Sequence, residues 1–233
     1  MHIITLGESM DKTVKTYFLD ADNVNIDMSL ALRFLRVRGE VDDNTKSMLK
    51  SCLEEFLSAV SYKACYRYFD IKVQCDTVCF DDQMKLQSEK LSKNLKGCKG
   101  AFVFVATTAV TVDRLIGKYA KLQVSKAVIL DAIGSSAVEC FCDMLCKKIQ
   151  SDFDVALRPR FSPGYGDLSI ITQSDVLSAC DTNRKIGVTL TDNHMMLPKK
   201  SVSAIVGVRP KNEECQKASS CEICDSEDCP YRE

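Results

Sequence analysis

Apolar residues recur along this chain with two different periods, and the changes of period mark its predicted elements. Between residues 43 and 60 they recur every three or four positions, which predicts an amphipathic helix with one side in a core. Strand-forming residues fill 62–80, with a break at 74–76, and predict a pair of strands. At 101–106 the residues are apolar at every position, which predicts a strand covered on both faces.

The longest predicted helix runs from about residue 126 to 151 and has two distinct faces. Its predicted core stripe consists of Leu130, Ile133, Ala137, Phe141, Leu145 and Ile149. Residues three or four apart share one side of a helix, so a second face carries Ser135, Glu139, Cys142 and Cys146. Glu139 is therefore expected either to be solvated or to point into a polar cleft.

Two other segments carry shorter patterns. Helix signals at 81–97, with apolar residues up to Leu95 and a stop at Gly97, predict a helix after the strand pair. Residues 186–190 and 203–208 are rich in branched apolar residues and predict two further strands.

A loop at 158–167, with the sequence RPRFSPGYGD, carries the densest candidate chemistry. Its two prolines fix φ and its two glycines allow backbone conformations that other residues reach only at a cost, so it is neither a helix interior nor a central strand. Arg158, Arg160, Tyr165 and Asp167 project from it. A guanidinium is a forked clamp for a carboxylate or phosphate, so the loop is either a binding site for a small charged ligand or a structural turn with solvated charges.

Composition narrows the class of protein. The chain has 233 residues, of which 45% are hydrophobic and 27% charged, as in ordinary globular proteins. Its net charge of −1 gives no reason to expect binding to nucleic acid or to an anionic membrane. The first residues show no basic region followed by an apolar run, and no apolar stretch approaches the roughly 18 residues that span a bilayer. A cytoplasmic protein is expected.

Cysteines are concentrated at the C-terminal end. The chain has 13 of them, and reduced thiols are expected in a cytoplasm. Residues 210–233 contain almost no aliphatic side chains but have the spacing Cys215-x5-Cys221-x2-Cys224-x4-Cys229. Such a set can hold zinc or an iron–sulfur cluster, and the alternative is a tail of free thiols.

The loop motif Arg160-x-x-Pro163-Gly164-Tyr165 resembles the Arg-x-x-x-Gly-Tyr signature of the activation domain of cobalamin-dependent methionine synthase, in particular its small stand-alone bacterial versions. Further segments are similar to that domain in the same order, and the resemblance covers roughly residues 100–208 and, more loosely, the N-terminal half. These segments are 129–135 with Glu139, 186–191, 196–198 and 201–203.

The resemblance implies an α+β fold with a bent, mostly antiparallel sheet and flanking helices. It implies three parts: 1–98 as the N-terminal part of the domain, 99–209 as its ligand-binding core, and 210–233 as a cysteine-rich tail. It also implies binding of S-adenosylmethionine. The family's ligand-binding positions correspond to Arg160, Pro163, Gly164, Tyr165, Glu139 and Asp154.

By the same resemblance, the expected role is reactivation of a cobalamin methyltransferase such as methionine synthase. The chain has no room for a cobalamin domain, so cobalamin would come with a separate corrinoid protein or short methionine synthase, and an electron with a donor such as flavodoxin or ferredoxin. The family's Tyr-bearing strand after 201–203 is replaced here by the cysteine tail. The alternative function is therefore a non-catalytic metal-binding or docking module that keeps the fold and has lost the nucleoside ligand.

Overall fold

A computed structural model describes residues 10–37, 39–81 and 83–210. The strands are β1 (Lys15–Leu19), β2 (Tyr62–Gln74), β3 (Thr77–Phe80), β4 (Met84–Gln87), β5 (Gly100–Thr107), β6 (Ala156–Leu157), β7 (Thr189–Leu190), β8 (Met196–Leu197) and β9 (Ser201–Arg209). The helices are α1 (Met28–Phe34), α2 (Asp43–Ala59), α3 (Glu89–Asn94), α4 (Val110–Leu122), α5 (Val124–Phe153), α6 (Gln173–Ala179) and α7 (Thr182–Ile186).

Seven of the described strands form one sheet. Its order is β4-β3-β2-β5-β9-β6, and β1 pairs with β2 beside this path. All described pairings are antiparallel. The long strand β2 holds the sheet together, because residues 62–66 pair with β1 and residues 71–74 pair with β3. The predicted α+β architecture with a mostly antiparallel sheet is confirmed.

Helices cover both faces of the sheet, and strand β5 is apolar at every position because both of its faces are buried. All residues of β5 are buried. Successive side chains of a strand point to opposite faces. Phe102 and Phe104 accordingly join one core with α1, α2, α4 and α5, whereas Val103 and Val105 join the other with α3, α6 and α7.

Helix α5 lies across the first core and follows the predicted stripe. Leu130, Ile133, Ala137, Phe141, Leu145 and Ile149 are all fully buried. The second predicted face of α5 is not a separate polar face along its whole length. Ser135, Glu139 and Cys146 are half-buried, but Cys142 is fully buried in the same core as Phe141. A thiol packs as a small apolar group, so its burial widens the core stripe.

Two predicted elements were wrong. Residues 84–87, expected at the start of a helix, form strand β4, because Met84 and Leu86 alternate with exposed residues and fill the second core while β4 pairs with β3. Residues 186–188 were expected in a strand, but Ile186 is the last residue of helix α7 and Gly187 caps that helix with a left-handed φ of 72°. Only Thr189–Leu190 remains extended.

Within the described ranges, the structure shows no helix that combines the length and the apolar character needed to cross a membrane.

Candidate ligand-binding site around Arg160

The loop at 158–167 lies along the edge of the sheet next to β9. Phe161 donates its backbone N–H to the carbonyl of Ile205 (2.9 Å) and accepts from the Ile205 N–H (2.8 Å). Neighbouring residues in an extended segment face opposite ways. Phe161 is accordingly buried in the second core, while Arg160 turns to the other side and meets helix α5.

Two carboxylates of α5 hold the Arg160 guanidinium. Nη2 lies 2.6 Å from Oε2 of Glu139, and Nη1 lies 2.7 Å from Oδ1 of Asp143. The Arg160 side chain is 26% exposed, that of Glu139 36% and that of Asp143 65%. The structure thus brings together two predicted site residues that are 21 positions apart in the chain.

The surroundings of Arg160 keep it charged. Burial alone would lower the pKa of Arg160, but the negative charges beside it, Glu139 and Asp143 among them, raise that pKa above its ordinary value. Burial also raises the pKa of Cys142 well above the usual value for a thiol and that of Cys146 to about 11. Both thiols are therefore protonated at neutral pH, and the two carboxylates are the anionic partners of the guanidinium.

Pro163 and Gly164 shape the loop as the sequence predicts. Pro163 is buried, and Gly164 has a φ of 84°, a left-handed conformation that favours glycine. The Gly164 N–H donates to the carbonyl of Leu168 (2.8 Å), and a Cβ on Gly164 would stand 3.1 Å from Cδ1 of Ile170. The loop is therefore ordered by its own contacts.

Tyr165 lies on the side of the second core. Its ring packs edge-on against Phe161, with centroids 5.4 Å apart and an interplanar angle of 84°. The residue is half-buried, and its backbone N–H donates to the carbonyl of Ser162 (3.1 Å). Arg160 and Tyr165 thus leave the loop toward different sides.

The loop's other two charged residues make structural contacts. Asp167 accepts hydrogen bonds from the Ser88 hydroxyl and from the backbone N–H of Glu89 (2.7 Å) at the start of α3. Burial opposes ionisation of Asp167, but these hydrogen bonds outweigh it and lower its pKa. Arg158 donates from Nη2 to the carbonyl of Lys96 (3.2 Å), at the other end of the same helix. These two residues attach the loop to α3.

Asp154 is not brought to the Arg160 cluster. It ends α5 in a left-handed conformation, with φ 51° and ψ 45°, and is exposed. A helix rises 1.5 Å per residue, so Asp154 lies roughly 16 Å along the axis from Asp143. Asp154 was predicted in the site because it precedes Arg160 by six residues. In the structure those residues, including β6, run back from the end of α5 to the level of Glu139 and Asp143, which separates Asp154 from Arg160.

Asp143 belongs to the candidate site but was not singled out by the sequence patterns. It follows Glu139 by four positions, and residues at this spacing share one side of a helix. That spacing was the available signal, because a single group lying over this face of α5, as Arg160 does, can contact both carboxylates.

Two surface clefts lie away from these residues. A cleft of 660 Å³ is lined by Phe18, Lys63 and residues 183–187, among others. A second, of 550 Å³, lies between α1, α4 and α5. Arg160, Gly164 and Tyr165 line neither of these two clefts.

The predicted metal ligands Cys215, Cys221, Cys224 and Cys229 lie outside the described residues. Among residues 10–37, 39–81 and 83–210, no cluster of three or more histidine, cysteine, aspartate or glutamate side chains is arranged to hold a metal ion. The proposed metal centre therefore stays a prediction of the tail sequence.

These features define an α+β domain that fixes a guanidinium between two carboxylates, beside an ordered loop at the edge of its sheet. No protein-family model and no curated protein matches the chain. A solved structure does: the crystal structure of the MetH reactivation domain bound to AdoHcy, with a TM-score of 0.67 and 14% sequence identity. The match covers 88% of this chain and 81% of that one, and it shows that the chain has a methionine synthase reactivation domain-like fold.

Proposed function

We propose that this chain binds S-adenosylmethionine at the Arg160 cluster and positions it for reductive methylation of cobalamin on a separate corrinoid protein. The observation that carries the proposal is the 2.6 Å contact between Arg160 and Glu139, two motif residues that the fold unites. The similar MetH reactivation domain was crystallised with AdoHcy, which supports a ligand of the same class here.

The chemistry of the ligand fits these residues. S-adenosylmethionine carries a carboxylate, an ammonium and a sulfonium on one side of its ribose. Arg160 would take the carboxylate, since a charge-assisted contact to a guanidinium is among the stronger hydrogen bonds. Glu139 would hold Arg160 in place and face the ligand's cationic groups. Tyr165 is assigned to the nucleoside by the family resemblance alone, since its ring packs against Phe161 on the other side of the loop, while Pro163 and Gly164 fix the loop's shape.

The chain's part in the reaction would be positioning. S-adenosylmethionine supplies the methyl group, cobalt on the partner accepts it after gaining one electron, and S-adenosylhomocysteine is left. No proton is transferred, so no general base is needed from Arg160, Glu139 or Tyr165. By holding the sulfonium methyl in line with the cobalt, the chain would speed methyl transfer through the orientation of the two reactants. The electron would come from a donor such as flavodoxin or ferredoxin.

Visible spectroscopy tests this function. A corrinoid protein in the cob(II)alamin state would be mixed anaerobically with a reductant, S-adenosylmethionine and this chain. We expect the methylcobalamin spectrum with the wild type and with Arg184→Ala, an exposed arginine on α7, but a rate at least tenfold lower with Arg160→Ala.

An equal rate without the chain would contradict the proposal. Failure of wild type to bind S-adenosylmethionine at all would favour the alternative, a docking or metal-binding module that has lost its nucleoside ligand.

A further inference from the structure

Asp143 is the more exposed of the two carboxylates that contact the Arg160 guanidinium. Its Oδ1 lies 2.7 Å from Nη1, whereas Glu139 contacts Nη2. Two carboxylates of one helix thus share a single guanidinium, each through its own nitrogen. A ligand carboxylate that binds to Nη1 from this more exposed side would have to replace Asp143 there.

The two carboxylates differ in how readily they can leave. Asp143 is 65% exposed and Glu139 is 36% exposed. An exposed ion pair contributes little, because water solvates the separated charges almost as well. Releasing the more buried Glu139 would leave a carboxylate with less water to replace its partner. Asp143 is therefore the exchangeable member of the pair.

The spacing within α5 adds a second reason. Glu139 and Asp143 are four residues apart, and like charges at that spacing repel along a helix. The shared guanidinium draws the Asp143 side chain toward Glu139 despite this repulsion. Once a ligand takes that guanidinium, Asp143 gains by turning to solvent.

We propose that Asp143 stands in for the ligand's carboxylate in the free protein, and that a ligand must displace it from Arg160 to bind. Asp143 is thus a positioning residue that sets both the affinity of the site and its dependence on the ligand's carboxylate. This inference rests on the proposed function, because it takes the Arg160 cluster as the binding site.

The test compares Asp143→Asn with the wild type by calorimetry. We expect Asp143→Asn to bind S-adenosylmethionine and S-adenosylhomocysteine about two- to fivefold more tightly, the range that loss of a competing exposed ion pair allows. It should bind 5′-methylthioadenosine, which has no carboxylate, with unchanged affinity. Asp143→Glu keeps the competing charge and should stay within about twofold of the wild type for all three ligands.

Asp152→Asn is the matched control. Asp152 lies on the same helix, pairs with Lys148 at 2.9 Å and changes the net charge by the same amount when neutralised. S-adenosylmethionine is cationic overall, so general electrostatics predicts weaker binding for both asparagine variants, the opposite of the expected result for Asp143→Asn. Thermal melting checks that each variant folds.

The outcomes separate the two proposals. Wild-type binding with equal or weaker binding by Asp143→Asn would overturn the displacement and leave the proposed function intact. Tighter binding of 5′-methylthioadenosine to the same extent would also overturn it, since the effect would not depend on the carboxylate. No binding of any of these ligands by the wild type would overturn the proposed function, and this inference with it.

Discussion

Arg160 and Glu139 show how one contact between distant residues can mark a candidate site. A mid-helix glutamate and a loop arginine are each ordinary, and each would be solvated alone. Here the alternation of the loop residues sends Phe161 into one core and Arg160 onto α5, where Glu139 meets it at 2.6 Å. The charge of each side chain fixes the rotamer of the other, so the guanidinium has a set direction before any ligand arrives.

Glu139 and Asp154 provide a test at the scale of single residues. We expect Glu139→Gln to weaken S-adenosylmethionine binding by about 1–2 kcal/mol, because the amide loses its charge-assisted contact with Arg160. Asp154→Asn should change it by less than about 0.5 kcal/mol, since Asp154 lies at the far end of α5. Calorimetry measures both, and equal or reversed losses would contradict the arrangement of the acidic residues described here.

At the scale of elements, the loop depends on its attachment to α3. Asp167 accepts hydrogen bonds from Ser88 and the first N–H groups of that helix, and its pKa is lowered in the folded chain. We expect Asp167→Asn to lower the free energy of unfolding at pH 7 by about 0.5–1 kcal/mol, as for a solvent-exposed helix cap.

The sign of the pH dependence follows from the lowered pKa of Asp167. Its stabilisation is present above the unfolded-state pKa of about 3.9 and is lost as the pH falls through the lower folded-state value. Denaturant melts of wild type and Asp167→Asn should therefore converge below about pH 4. Asp192→Asn, an exposed turn residue, is the control. A difference between wild type and Asp167→Asn that stays constant down to pH 2 would contradict this role.

The same elements show what the sequence could predict. The apolar period of α5 and the unbroken apolar run of β5 were predictable, because every core-facing position of these elements has to be apolar. Strand β4 was not, because Met84 and Leu86 alternate over only four residues beside strong helix signals, and its pairing with β3 decides the outcome. Asp143 was not predicted as a candidate site residue, because its sequence alone looks like an exposed helix carboxylate and its contact is with Arg160, 17 positions away.

At the scale of the whole molecule, the cysteine-rich tail would add a metal centre to the chain. Residues 210–233 have too little apolar surface to offset the roughly 1–2 kcal/mol per residue that ordering costs. A bound metal can supply that free energy, on the order of 10 kcal/mol in small zinc modules. We propose that Cys215, Cys221, Cys224 and Cys229 bind one centre, favouring an iron–sulfur cluster, which could also pass an electron toward cobalt.

Metal analysis and visible absorption after anaerobic purification test the tail. We expect iron and sulfide near four each per chain, as one four-iron cluster contains, and their loss in the Cys221→Ser/Cys224→Ser double variant. A Cys75→Ser/Cys79→Ser variant, with two cysteines of the β2–β3 hairpin region, is the control that should keep them. One zinc per chain would confirm a metal site in the tail but would contradict its role in electron transfer, because zinc is not redox-active. Neither metal, with titratable thiols in the tail, would contradict the proposal.

The central claim, that the Arg160 cluster binds S-adenosylmethionine, is tested most directly by titration calorimetry of wild type, Arg160→Ala and the control Arg184→Ala. We predict binding by wild type and by Arg184→Ala, and a loss of about 2–4 kcal/mol for Arg160→Ala, because a charge-assisted contact to the carboxylate is removed. Thermal melting must show that Arg160→Ala is folded, since its guanidinium also joins the loop to α5. Equal affinity of folded Arg160→Ala and wild type would contradict the claim.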